Sequence, residues 1–185
     1  MNPTPVPSAG LGSTWVRIGG TLLGTGAYCV YNQMHHPGPQ GAHWFYDLVA
    51  GLAAYSFPAQ LLAEGLARQF GRWWWLRLGA VVAMSIGTVG REFWGWLPSG
   101  HILTATAVAV VQSQEPRLPR WLRAAYFIAL AAVTGFRAIA LDYAVTKHLA
   151  LGLLTGLLIG LATLATARIS ECYGRPRTPR HSILP

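Results

Sequence analysis

The chain is poor in charge and poorest in acid: 11% of its 185 residues are Asp, Glu, Lys or Arg, and only six are acidic. Ordinary soluble domains carry about 25% charged residues. Set beside 52% apolar residues, this deficit excludes an ordinary soluble domain and argues for a membrane protein. Cysteine is almost missing, with Cys29 and Cys172 alone, so neither a disulfide framework nor redox chemistry is indicated. No basic residue precedes Arg17 and Pro3, Pro5 and Pro7 punctuate the start, which does not match a secretory signal. Residues 1–14 are expected to form a disordered leader and 169–185 a basic, Pro-rich cytoplasmic tail.

Fourteen Lys and Arg against six Asp and Glu give a net charge of +8. In so apolar a chain this excess is read as orienting helices in a bilayer, not as gripping nucleic acid. A helical span needs about 20 mostly apolar residues, and six candidates run Trp15–Met34, Trp44–Ala67, Trp73–Leu97, His101–Gln114, Leu122–Leu141 and Lys147–Ala167. The fourth is short and needs neighbours to shield it. All eight tryptophans fall at proposed helix ends, where such rings favour the headgroup region. The expected fold is an all-α integral membrane bundle of six transmembrane helices over 15–168, with both termini cytoplasmic.

The charge map supports that orientation. Eleven of the fourteen cations, Arg17, Arg68, Arg72 and Arg77 among them, fall on the side of the termini, which the positive-inside rule makes cytoplasmic. Arg91, Arg137 and Lys147 are left on the outer side with five of the six histidines: His35, His36, His43, His101 and His148. Single residues of this kind can snorkel to the headgroups. Together they mark the outer end as a functional site, because ionisable groups at membrane depth need a cavity or a partner.

Spans three and four meet through Arg91-Glu92-Phe93-Trp94-Gly95-Trp96-Leu97-Pro98-Ser99-Gly100-His101. Pro-Ser-Gly-His opening a helix suits a phosphate. The helix N-terminus offers free amides and partial positive charge. Ser99 can cap the helix or bind an oxygen, Gly100 permits close approach, and His101 can protonate a leaving alkoxide. The bland alternative is a Pro-Ser cap beside an incidental histidine.

This placement resembles the type 2 phosphatidic acid phosphatase family, six-span lipid phosphatases whose middle motif is Pro-Ser-Gly-His at the start of the fourth span. The likeness covers about residues 73–160. In the family's Lys-x6-Arg-Pro motif, Arg91 stands for the lysine and the Arg-Pro pair is missing. In the Ser-Arg-x5-His-x3-Asp motif, Arg137 matches the arginine, while strict spacing puts Tyr143 and Lys147 at the histidine and aspartate positions. The nearby histidine is His148, eleven residues after Arg137.

The resemblance implies a histidine nucleophile, for which His148 is the candidate, and His101 as general acid. Asp142 or Glu92 would orient the nucleophile, while Arg91, Arg137 and Lys147 hold phosphate oxygens. It implies no metal or other cofactor, and a phospholipid or polyprenyl phosphate as substrate. A bacterial inner membrane with a periplasmic site is the expected location, and lipid phosphotransfer is a close variant. Two other classes stay open. One is a metal-dependent membrane enzyme using His35, His36 and His43 with Asp47, Glu92, His101, Asp142 or His148. The other is a noncatalytic bundle binding a lipid or a partner.

Remaining polar and small residues are read as structure. Glu64 is expected to pair with Arg68 one turn later. Gly152, Gly156 and Gly160 form a stripe for close helix packing, as do Gly20, Gly24 and Gly26. Pro58 is expected to kink span two.

Overall fold

A computed structural model describes residues 11–35, 42–94, 99–115, 118–140 and 146–173. Among these, all regular structure is helical: α1 (Leu11–His35), α2 (Ala42–Ala50), a π-helical turn (Gly51–Tyr55), α3 (Ser56–Leu66), α4 (Arg72–Trp94), α5 (Gly100–Ser113), α6 (Arg120–Ala140) and α7 (Thr146–Tyr173). The segments α2, π turn and α3 follow without interruption, so seven α-helices make six rods near the six expected segments. Two of them are long and apolar enough to cross a membrane, α6 over Arg120–Ile139 and α7 over Lys147–Ile169. Helix α1 starts at Leu11, inside the expected leader, and α7 continues to Tyr173, past the expected tail boundary. Ala-Thr-Ala-Arg after Leu164 sustains a helix.

Successive rods alternate in direction. Gly20 and Gly24 of α1 face Gln60 and Ser56 of α3, while Thr25 faces Gly51, which makes the pair antiparallel. On α7, Gly152 meets Ser99 and Ile102, Gly156 meets Leu103 and Thr106, and Gly160 meets Ala107 and Val110. Helices α5 and α7 are therefore parallel, pressed together along the expected glycine stripe. A methyl group at Gly160 would lie 2.7 Å from Val110 Cβ, so only glycine admits this approach. Gly26 differs from Gly20 and Gly24, with nothing within 4 Å of its added Cβ.

Short α5 is the hub. Ile102, Leu103, Ala107, Val108 and Ala109 are fully buried, in keeping with a 14-residue helix that its neighbours enclose. Pro58 carries no N–H for the carbonyl one turn back. The irregularity this requires falls in the π turn, where the Ser56 N–H reaches Gly51 O.

The distribution of polarity is inverted relative to a soluble protein. Leu22, Leu23, Leu62, Ile128 and Leu158 point outward, whereas Arg17, Gln60, Glu64, Arg77, Gln112 and Glu115 are each at most 2% exposed. These inward groups form one network. Arg17 pairs with Glu64 at 2.6 Å and with Glu115 at 2.9 Å, and Arg77 contacts both Glu64 oxygens at 3.0 and 3.1 Å. Gln60 joins Arg77, Gln112, Thr21 and Tyr126.

The expected Glu64–Arg68 pair is thereby replaced. Arg68 lies beyond the end of α3 with φ 54, a left-handed residue whose side chain has left the i, i+4 face. Arg17 and Arg77 are likewise buried partners of carboxylates and not simple membrane-edge cations. The tryptophans divide too. Trp15, Trp44, Trp75 and Trp121 are exposed at helix ends, but Trp74 is half-buried and donates its indole N–H to Leu61 O at 3.0 Å.

Candidate functional site

At the end of the bundle opposite the Arg17 network, α1 ends while α2, α5 and α7 begin, and α6 finishes. His101, in the first turn of α5, lies at the centre of this end. Its Nδ1 faces Arg137 Nη2 of α6 at 3.4 Å, and its Nε2 faces the Tyr28 hydroxyl of α1 at 3.3 Å. A guanidinium can only donate. Nδ1 therefore accepts, and in the neutral ring the proton sits on Nε2, an assignment that follows from the partners.

Arg137 is held in turn. Its Nε donates to Tyr46 OH at 2.8 Å, and its guanidinium carbon lies 5.3 Å from the Tyr46 ring centre. Three tyrosines fence the imidazole: the ring centres of Tyr28, Tyr46 and Tyr55 lie 6.3, 6.3 and 6.1 Å from it, all edge-on. Tyr28 stacks on Tyr55 at 4.1 Å. Beneath them Asp47, 1% exposed, accepts from Asn32 at 2.6 Å and Gln33 at 3.2 Å, which locks the end of α1 to the start of α2.

The π turn sets this fence. Tyr46 and Tyr55 are nine residues apart, which at about 100° per residue would put them on opposite faces of an α-helix. One extra residue in the turn removes about 100° of that, bringing both rings toward His101. Such π insertions recur at functional sites. No family model matches the chain, and no curated protein or solved structure is significantly similar to it.

The expected site residues are distributed as follows. His101 and Arg137 touch. Ser99 occupies the N-cap position with extended backbone (φ −66, ψ 113) and makes no capping bond through its side chain. Its N–H instead donates to His148 O at 3.0 Å, tying the first turn of α7 to the start of α5. His148 is half-buried there, and Lys147 beside it is exposed. Gly100 has a packing reason: a Cβ would lie 2.9 Å from Thr88 Cγ2 of α4. Asp142, Pro98 and the side chains of Arg91, Glu92 and His43 lie outside the described residues, as does His36. Among the described residues, no group of three His, Cys, Asp or Glu is placed to hold a metal.

Sequence reasoning missed the tyrosines and Asp47's partners. A signal was present in α1, where Arg17, Thr21, Thr25, Tyr28 and Asn32 recur at spacings of three or four and so share one face. Ser56, Gln60 and Glu64 form the facing stripe on α3. Polar stripes within apolar helices point inward when the surroundings are lipid.

Proposed function

We propose that the chain is an integral membrane lipid phosphatase, divergent from but related to the type 2 phosphatidic acid phosphatases, whose site is the His101 end of the bundle. The observation that carries this reading is the contact of Arg137 with His101, which joins the two motif residues the resemblance assigns to phosphate binding and proton donation. The inverted polarity of the bundle supports a bilayer setting for all six rods. Apolar side chains face outward on every rod but the enclosed α5, and a network of two arginines and two glutamates is sealed inside. In this reading both termini are cytoplasmic and the His101 end faces the periplasm of a bacterial inner membrane.

The substrate phosphate lies between His101, Arg137 and the start of α7, with the guanidinium opposing charge on the phosphoryl oxygens. An imidazole nitrogen of His148 attacks phosphorus while the bond to the lipid oxygen breaks, and His101, protonated at both ring nitrogens once Arg137 turns from Nδ1 to the phosphate, delivers its Nε2 proton to the departing alkoxide and is left neutral. Water then cleaves the phosphohistidine, releasing phosphate. An alcohol in place of water would give phosphotransfer.

One observation favours a noncatalytic lipid-binding bundle as the second reading. Counted from His148, the family's His-x3-Asp spacing lands on Gly152, where an added Cβ would lie 3.0 Å from Ser99 O. That position supplies no carboxylate to orient the imidazole.

Phosphate release from a panel of lipid phosphates by purified protein in detergent, without added metal, decides between them. Release by the parent, with losses of about 10²–10⁴-fold in His101→Ala and His148→Ala, supports the phosphatase. Silence from the parent, with or without zinc, overturns it.

A further inference from the structure

Away from His101, at the end of the bundle that carries the Arg17 network, α4 and α7 run antiparallel with a groove of about 320 Å³ between them. Gly79, Ala80 and Ala83 of α4 and Ala162, Thr163 and Thr166 of α7 line it. Small side chains on both helices keep it open. Its two hydroxyls are already committed, Thr163 to Ile159 O and Thr166 to Ala162 O, both at 2.9 Å, so the groove offers hydrocarbon contact and little else. From Trp75 to Ala83 it runs eight residues, about 12 Å at the helical rise, against about 15 Å for half of a bilayer's hydrocarbon core. It therefore lies within one leaflet.

One end of the groove is cationic. Arg72, in the first turn of α4, donates through Nη2 to Ala167 O of α7 at 3.4 Å, which places it across that end beside Trp75 and Thr166. Arg72 is exposed, as is Arg168 directly after the same carbonyl, so the rest of the five-donor fork of Arg72 faces outward. The exposed ring of Trp75 marks this level as the headgroup region. Glu64 and Glu115 belong to the same end but are sealed inside the bundle, where they pair with Arg17 and Arg77. Among the described side chains no exposed carboxylate offsets Arg72 and Arg168.

We infer that this groove binds an anionic phospholipid of the cytoplasmic leaflet, with one acyl chain between α4 and α7 and the phosphodiester at Arg72 and Arg168. Charge complementarity selects the occupant. A soluble anion would meet the guanidinium and leave the apolar length unused, whereas a neutral hydrocarbon would fill the groove and leave the cations unmatched. A lipid with a net negative head meets both, and each basic residue near an anionic lipid surface contributes about 1 kcal/mol. The inference takes the bilayer setting and orientation from the proposed function and none of its chemistry, because the groove is at the far end of the rods from His101.

A phosphatidylglycerol carrying a photoreactive diazirine in one acyl chain tests this, cross-linked to the full-length protein in phosphatidylcholine vesicles and compared with the phosphatidylcholine analogue. Phosphatidylglycerol should label α4 and α7 around Ala83 and Ile159, and phosphatidylcholine at least about fivefold less. Gly79 has nothing within 4 Å of an added Cβ, so Gly79→Phe fills the groove without displacing either helix and should abolish labelling. Gly19→Phe, at an equally open glycine of α1, should retain it. Arg72→Ala should lower phosphatidylglycerol labelling at limiting lipid about fivefold, the equivalent of about 1 kcal/mol, and Arg72→Lys, which keeps the charge, should keep most of it.

Equal labelling by the two lipids, labelling confined to other helices, or equal labelling in Gly79→Phe and Gly19→Phe overturns the site even if the protein releases phosphate. Loss of a dimer in Gly79→Phe with labelling unchanged gives the groove to a second copy and overturns it too. Selective labelling here in a protein that releases no phosphate upholds the lipid site and sinks the phosphatase alone.

Discussion

Arg137 reaches His101 and Tyr46 with different nitrogens of one guanidinium, Nη2 to the imidazole at 3.4 Å and Nε to the phenol at 2.8 Å. The side chain is therefore held as a two-pronged fork between α5 and α2. A fork of this kind fixes where the positive charge sits and which imidazole nitrogen keeps its proton.

A lysine at this position keeps the charge and loses the fork. If Arg137 opposes charge in the transition state, Arg137→Lys should lower kcat/KM for a lipid phosphate by about 10²–10³-fold with little change in the unfolding midpoint. Tyr46→Phe, which removes only the phenol acceptor, should lose less. Equal activity of Arg137→Lys and the parent would separate Arg137 from the chemistry.

The Glu64 carboxylate meets Arg17 and Arg77 inside the bundle, and removing one member of a buried charge cluster strands the others. Glu64→Gln should destabilise the protein by about 3–5 kcal/mol, read as a lower denaturation midpoint in detergent. Arg68→Ala, at an exposed residue beyond the helix end, should shift the midpoint hardly at all. Comparable effects of the two would restore a local Glu64–Arg68 pair.

How much of this was legible in the sequence depended on whether the deciding contact was local. The six apolar segments and the Gly152, Gly156 and Gly160 stripe were readable, because apolar length and four-residue spacing are properties of one helix at a time. His101 and Arg137 were picked out by motif position, and their contact follows from α5 and α6 being antiparallel neighbours. Glu64 was misread because Arg68 is its nearest cation in sequence, whereas its actual partners lie on α1 and α4. Tyr46 and Tyr55 were invisible for a different reason: on an ideal helix they diverge, and only the π turn, adjoining a proline, rotates them together.

The α5–α7 interface offers a test of packing with an internal control. A leucine at Gly156 would drive its Cβ into Leu103 O and Thr106, prising apart the two helices that carry His101 and His148. Gly156→Leu should lose at least about 1–3 kcal/mol of stability and, with it, activity. Gly19 has nothing within 4 Å of its added Cβ, so Gly19→Leu should fold like the parent. The comparison is made by thermal unfolding monitored by helical circular dichroism.

The orientation of the bundle can be read by chemical access. Lys147 is exposed at the start of α7, and Gly71 is exposed just before α4, at the opposite end of the rods. In a background with Cys29→Ser and Cys172→Ser, single Lys147→Cys and Gly71→Cys variants are treated with a membrane-impermeant maleimide in intact bacterial cells expressing the protein. The proposed orientation puts the end near Gly71, where Arg68 and Arg72 flank it, in the cytoplasm; on that proposal only Lys147→Cys should label, with Gly71→Cys reacting after lysis. The reverse pattern would put His101 on the cytoplasmic side, and the substrate would then be drawn from the inner leaflet. Labelling of both in intact cells would mean that the rods between the two positions do not cross the membrane, which removes the bilayer setting of the proposed lipid phosphatase.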